Sequence, residues 1–182
     1  MILRLLNSYL ANRNRTFAHL YENNIGNNIM LAGDSHASWV SDLVWLGDKP
    51  YNASTGEGSI GVEFAGTAVS SPSPAGQNVT IARANNGSAT IVRANDELQW
   101  QDLYYRGYYE LHISQEAVEA QFFGVPTTQT RNGLEISLAN FTVRSGENRL
   151  QRPVAGGVVE SGFLKGGRVV QTNVTYDTEN MA

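Results

Sequence analysis

An unbroken apolar quartet runs straight into a polar turn: Ile29-Met30-Leu31-Ala32 is followed at once by Gly33-Asp34-Ser35-His36. Apolar residues without alternation predict a strand buried on both faces, the kind found inside α/β sheets. Ahead of it, Leu3, Leu6, Leu10, Phe17 and Leu20 recur at helical spacing, and Ile2, Leu5, Tyr9 and Tyr21 broaden the stripe. Residues 2–21 therefore read as one amphipathic helix with Arg4, Asn7, Asn12 and Arg15 outward, ended by Asn23-Asn24 and Gly26-Asn27. A helix leading into a buried strand is one step of an α/β fold. The polar quartet then falls at the strand's carboxyl end, where such sheets place their ligands.

Downstream the pattern becomes β-rich. Ala37–Leu46 reads as a short helix or compact loop holding Trp39, Leu43 and Trp45, and residues 48–59 are turn-rich. Ile60, Val62 and Phe64 alternate in a strand running toward Val69, and Ser70–Gly76 closes it as a loop. Residues 78–102 have mixed periodicity and favour no element. Tyr109, Leu111 and Ile113, then Val118, Ala120 and Phe122, predict an antiparallel hairpin. Leu134, Ile136, Leu138, Phe141 and Val143 predict a further strand pair or one bulged strand. Beyond Ser145 the chain is Gly-rich, with Val158-Val159 and Val169-Val170 as its short apolar pairs. The 182 residues thus read as one domain, an α/β core over 1–144 and an extended arm over 145–182 lying across it.

Composition removes several function classes. Lys+Arg 13 against Asp+Glu 17 leaves a net charge of −4, so the basic surplus behind nucleic-acid or anionic-membrane binding is missing. No apolar run approaches the ~20 residues of a membrane span. There is no cysteine, hence no disulfide, thiolate metal site or Cys nucleophile in this chain. Asn-x-Ser/Thr occurs at Asn14, Asn52, Asn78, Asn86, Asn140 and Asn173, where chance predicts roughly two or three. That excess favours a secreted glycoprotein, extracellular or in the cell wall. The start, Met1–Leu6, lacks a signal peptide's apolar core and cleavage site, so a preceding part is expected.

Chemistry concentrates in the quartet. Asp34 and His36, two apart on a turn leaving a strand, are a carboxylate and an imidazole able to serve one metal site. A catalytic metal takes about three protein ligands, so the pair is incomplete by itself. The alternative is an Asp capping the next helix beside a partly buried His. Gly-Asp-Ser after a strand also matches the way GDSL-type esterases present a serine, which would make Ser35 a nucleophile. That mechanism needs a later Asp-x-x-His and a Gly-x-Asn-Asp, and neither is present. His19 reads as a helix-surface residue, and His112 as an exposed one on the polar face of its strand. Trp100, Tyr104, Tyr105, Tyr108 and Tyr109 could stack a sugar or base, or simply pack a sheet edge. Gly58, Gly61 and Gly66 form no phosphate loop. Arg106 suits either an anion or a structural ion pair.

Longer stretches carry a resemblance. Asn27–Leu43, with its apolar strand, Gly33-Asp34-Ser35-His36, Trp39 and Asp42-Leu43, resembles the last active-site motif of PhoD-like alkaline phosphatases. Gly61–Pro72 resembles that family's Val-Glu-Phe strand and Ser-Pro loop, and Tyr105-Arg106-Gly107-Tyr108 its Arg-Gly-Tyr strand start. The three lie in the family's order, and the similarity is nearest to secreted fungal members. The resemblance implies the C-terminal part of a calcineurin-like metallophosphoesterase α/β sandwich, with mixed sheets and flanking helices. It implies a dinuclear metal site, iron with calcium or a zinc/manganese-type pair, with Asp34 and His36 as metal ligands and catalytic groups and Ser35 as a spacer. Metal-activated water would attack a phosphomonoester or phosphodiester substrate in line. The family's other ligands lie upstream of the matched motif, so the implied partner is a missing N-terminal part, and the strand at 29–32 is expected at a sheet edge. A non-catalytic secreted glycoprotein module built on the same half-fold is the alternative.

Overall fold

The computed structural model describes residues 10–170. Helix α1 (Leu10–Glu22) leads into β1 (Asn28–Ala32), β2 (Ser38–Leu43), β3 (Gly61–Ala65), α2 (Ile81–Arg93) and β4 (Leu98–Asp102). Then come β5 (Arg106–Ile113), β6 (Ala117–Val125), β7 (Ile136–Arg144), β8 (Val158–Val159), β9 (Phe163–Leu164) and β10 (Arg168–Val169). The part of the expected helix before Leu10, and the sequon at Asn173, lie outside the described residues.

Five strands form a mixed sheet in the order β1-β3-β2-β4-β9, with β1 parallel to β3 and the other pairs antiparallel. β5, β6 and β7 form an antiparallel meander. The two sheets face each other across the main core. Val40, Val62, Phe64 and Trp100 on one side meet Ala120, Phe122, Leu138 and Phe141 on the other. Phe122 is the hub, edge-on to Trp100 and Phe141 and stacked with Tyr109 at 5.0 Å. The other face of the large sheet carries the helices. Ala84 and Val92 of α2 pack with Trp39, Ala65 and Leu98, while Phe17 of α1 meets Leu43 and Ile60. The architecture is the expected strand-rich α/β arrangement of mixed sheets with flanking helices.

The hairpin expected at 109–122 is β5–β6, with Tyr109 opposite Phe122. In β7 the pairing skips a residue: Phe122 faces Ala139 while Phe123 faces Ser137. Leu138 and Ala139 are therefore both buried, which makes this the bulged strand rather than a strand pair.

Four expectations are corrected. Ala37–Leu46 is no helix or loop but contains β2, buried at all six positions because one face meets the sandwich core and the other the helices. Such a strand carries no period in its sequence. Residues 78–102 hold α2 and β4. α2 buries Ala84, Ser88, Ala89 and Val92 on one face, but β4, buried throughout, follows within five residues and breaks the helical period of the stretch. The readable signal is Thr80, whose hydroxyl accepts from the Arg83 N–H as the N-cap. Strand β1 is not buried on both faces: it stands at the sheet edge, with Met30 40% and Leu31 59% exposed. Finally, the Gly-rich stretch does not merely lie across the domain. Its β9 pairs with β4, and Leu150, Val154, Val159 and Leu164 belong to the main core.

Candidate functional site

Residues 33–36 leave the carboxyl end of β1 as a tight bend before β2. Asp34 (φ 68°) and His36 (φ 57°) both adopt the left-handed conformation, which Asp and His tolerate better than most side chains. Between them the Ser35 N–H donates to the Gly33 carbonyl at 2.9 Å. Two such residues around one position are a local strain of the sort that functional loops carry. Asp34 is exposed and His36 is half-buried.

The imidazole of His36 is oriented by the Ser-Pro loop. Its Nδ1 lies 3.0 Å from the Pro72 carbonyl oxygen. A carbonyl only accepts, so the ring proton sits on Nδ1, and Nε2 of the neutral ring keeps its lone pair. A metal-binding histidine has this tautomer, its other ring N–H held by a carbonyl in the same way. Ser35 instead donates its hydroxyl to the Ala37 carbonyl at 3.4 Å. His112 pairs with Glu119 at 3.5 Å in solvent, remote from the Ser35 loop on a different sheet. Among the described residues, no histidine or carboxylate is hydrogen-bonded to Ser35 as a base.

Arg106 holds the two loops together. Its NH1 donates to the carbonyls of His36 at 2.7 Å and Ser71 at 3.2 Å, and its NH2 reaches those of Leu103 and Tyr104 at 3.4 Å. A planar fork of donors suits several fixed carbonyls as a point charge does not. Asp102 stands beside it, fully buried. The carboxylate accepts from the backbone N–H groups of Tyr104 at 2.7 Å and Tyr105 at 2.8 Å, and from the Ser161 hydroxyl. Burial pushes the Asp102 carboxyl up and works against the Arg106 charge, while each helps hold the other ionised. Neither role the sequence offers Arg106 is seen as such: among the described residues it forms no direct ion pair, and its donors go to backbone carbonyls with Asp102 acting through charge. Gly107 is required next to it, because a Cβ there would lie 1.9 Å from the Phe123 carbonyl oxygen across the hairpin.

The aromatic group divides. Trp100 is fully buried with its Nε1–H donated to the Ser161 carbonyl at 2.9 Å, and Tyr109 stacks on Phe122 in the core. Tyr104 and Tyr105 pack edge to face at 4.8 Å, and Tyr108 stacks on Phe123. These rings are packing. His19 is exposed on α1, with Nδ1 3.2 Å from the Asn23 amide nitrogen.

Sequence reasoning missed Glu63, whose signal is a lone carboxylate alternating between Val62 and Phe64. It accepts from the Ser41 hydroxyl at 3.4 Å, and burial raises its pKa against the opposing bonds from Trp39 and Ser41. A raised carboxyl binds a proton more tightly folded than unfolded. Stability therefore falls as pH rises from the unfolded value, about 4.3, through the folded one, then levels off. Glu63→Gln is expected to lessen that fall, giving a protein as stable as the parent near pH 4 and more stable at pH 7. Melting curves across this range check it, and curves that stay parallel would contradict the role of burial.

Among the described residues, no cluster of three or more His, Cys, Asp or Glu able to hold a metal forms. Asp34 and His36 are thus two donors, fewer than the about three that a catalytic metal takes. They fit part of a metal site and not the whole.

Alkaline phosphatase D of Bacillus subtilis (strain 168) is 28% identical to this chain over 176 residues, covering 94% of the chain and 28% of that protein. A solved structure of PhoD shares the fold, with a TM-score of 0.63 at 23% identity over 88% of this chain and 27% of that one. The chain thus spans little more than a quarter of the length of these relatives. Residues 4–122 match the model of the PhoD-like phosphatase family, and with the loop order and sheet topology above the chain belongs to that family.

Proposed function

We propose that this chain provides the last metal-ligand loop of a metal-dependent phosphoesterase acting on phosphomonoesters or phosphodiesters. Asp34 and His36 would hold the metal, which polarises the phosphoryl oxygens and activates water when bound. The observation that carries this reading is the His36 Nδ1–Pro72 carbonyl bond, which leaves Nε2 as the ligand atom on a loop braced by Arg106. The family supports a phosphatase-type reaction and a metal requirement. The chain's own residues orient the imidazole and fix the loop, and the remaining ligands come from outside the described residues. Secretion fits the sequons, since Asn52, Asn78, Asn86 and Asn140 are all exposed.

The purified chain is expected to hold little metal and to turn over little or no p-nitrophenyl phosphate or bis-p-nitrophenyl phosphate. Elemental analysis and both assays, with and without chelator, test this. Chelator-sensitive turnover abolished by Asp34→Asn would show the site complete within the chain or its oligomer, against the reading of two donors only. A cooperatively unfolding chain that stays without metal even when joined to a full set of family ligands would favour the non-catalytic glycoprotein module instead.

A further inference from the structure

Among the described residues, the outer face of the large sheet is left open between α1 and α2. A cavity of about 180 Å³ opens there, larger than the about 150 Å³ apolar cavity that holds a benzene. Phe17, Trp39 and Trp45 supply aromatic walls, and Glu63, Glu97 and Gln101 supply the polar atoms. Two of these polar atoms have no partner: Glu97 Oε2 and Gln101 Oε1. Glu97 is 9% and Gln101 7% exposed, so water does not readily serve them. Both orphans accept hydrogen bonds, and neither cavity-lining orphan is a donor.

From this complementarity we propose that the cavity binds a primary organic ammonium carrying an aromatic-sized apolar body. The –NH3+ group has three donors and no acceptor, which matches a carboxylate and an amide oxygen left without donors. The aromatic walls suit both the apolar body and the adjacent charge. Lys165 acts on Glu97 through its charge but does not donate to Oε2. Lys165 Nζ donates to the carbonyls of Asn95 at 2.6 Å and Asp96 at 2.8 Å, and Arg13, at the cavity wall, bonds the Asn14 side chain at 3.1 Å. Burial raises the Glu97 pKa, which is the condition of a carboxyl without a full complement of partners. Ser35 lines the same cavity, so the ligand would sit beside the quartet, yet the inference does not depend on phosphatase activity.

The probes are 2-phenylethylamine and its neutral counterpart 2-phenylethanol, titrated into the full chain. Trp39 and Trp45 line the cavity while Trp100 lies in the other core, so indole fluorescence and indole N–H shifts report occupancy. Saturable binding of the amine, at least about tenfold tighter than the alcohol, is expected, with Glu97→Gln removing that preference while leaving the alcohol unaffected. Should Glu97→Gln not fold, Leu46→Trp at the exposed rim is expected to block the amine without touching a buried group. Equal binding of amine and alcohol would overturn the proposal. So would an absence of saturation at millimolar amine, which would make the cavity a seat for other polypeptide.

Discussion

Replacing Asp42 by alanine is expected to cost the fold about 3–5 kcal/mol, the loss measured when one partner of a buried ion pair is removed. Asp42 is 1% exposed and joins two other segments to its own strand. Its carboxylate accepts from the Arg152 guanidinium, from the Tyr51 hydroxyl at 2.8 Å and from the Leu150 N–H at 2.9 Å. Arg152 also donates to the carbonyls of Leu150 at 2.8 Å and Ala53 at 3.2 Å, so it cannot follow a lost partner into water. Burial, with Asp42 next in effect, pushes the Tyr51 phenol up, leaving it a donor across the accessible pH range. This one carboxylate therefore ties β2 to the 50s loop and to the stretch after β7. Urea unfolding of Asp42→Ala measures the cost, and a loss below about 1 kcal/mol, the range of an exposed pair, would contradict it. Removing Asp42 and Arg152 together for leucines should recover much of the loss, because no charge is then left buried alone.

Arg106 is expected to show the second large effect, and it acts on the site. Arg106→Ala leaves the carbonyls of His36, Ser71, Leu103 and Tyr104 without this donor and leaves Asp102 without its nearby cation. With about 1–3 kcal/mol for the buried Leu103 carbonyl and only a fraction of that for the three part-buried ones, a total loss of about 3 kcal/mol is expected. The more telling variant is Arg106→Lys, which keeps the charge beside Asp102 but lacks the fork. Hydrogen exchange at residues 33–37 and 70–73 should quicken in it together, since one guanidinium joins both loops. Its global stability should fall less than that of the alanine variant. Exchange unchanged in the lysine variant would mean that charge alone matters and that the two loops are not clasped.

How much of the fold is legible depends on how far apart the partners lie in sequence. The 29–36 stretch reads as a strand ending in a polar turn, as it is in the structure, because an apolar run followed by Gly-Asp is a local signal. The β5–β6 hairpin is equally plain, since one of its faces is wet and the alternation survives. β2 and β4 are not legible. Both are buried throughout, and β4 carries Gln99 and Gln101, which look like surface residues until their surroundings are known. Gln99 is satisfied by the Tyr51 hydroxyl at 3.2 Å and by nearby carbonyls, 48 residues away in the first case. α2 escapes because the 78–102 stretch joins an amphipathic helix directly to a strand buried throughout, so no single period runs through it.

By itself, the sequence determined the family, the position of Asp34 and His36 at a strand end, and the absence of basic surplus and cysteine, all properties of composition or of neighbours along the chain. The tertiary structure decided what those residues can do. That His36 presents Nε2 depends on a carbonyl 36 residues away, and the clasp on its loop comes from an arginine 70 residues away. The pairing of β9 at the far edge of the large sheet and the cavity with two unserved acceptors are likewise products of packing. Hydrogen bonds and burial depend on the groups around a residue in space, and a linear pattern records only its neighbours along the chain.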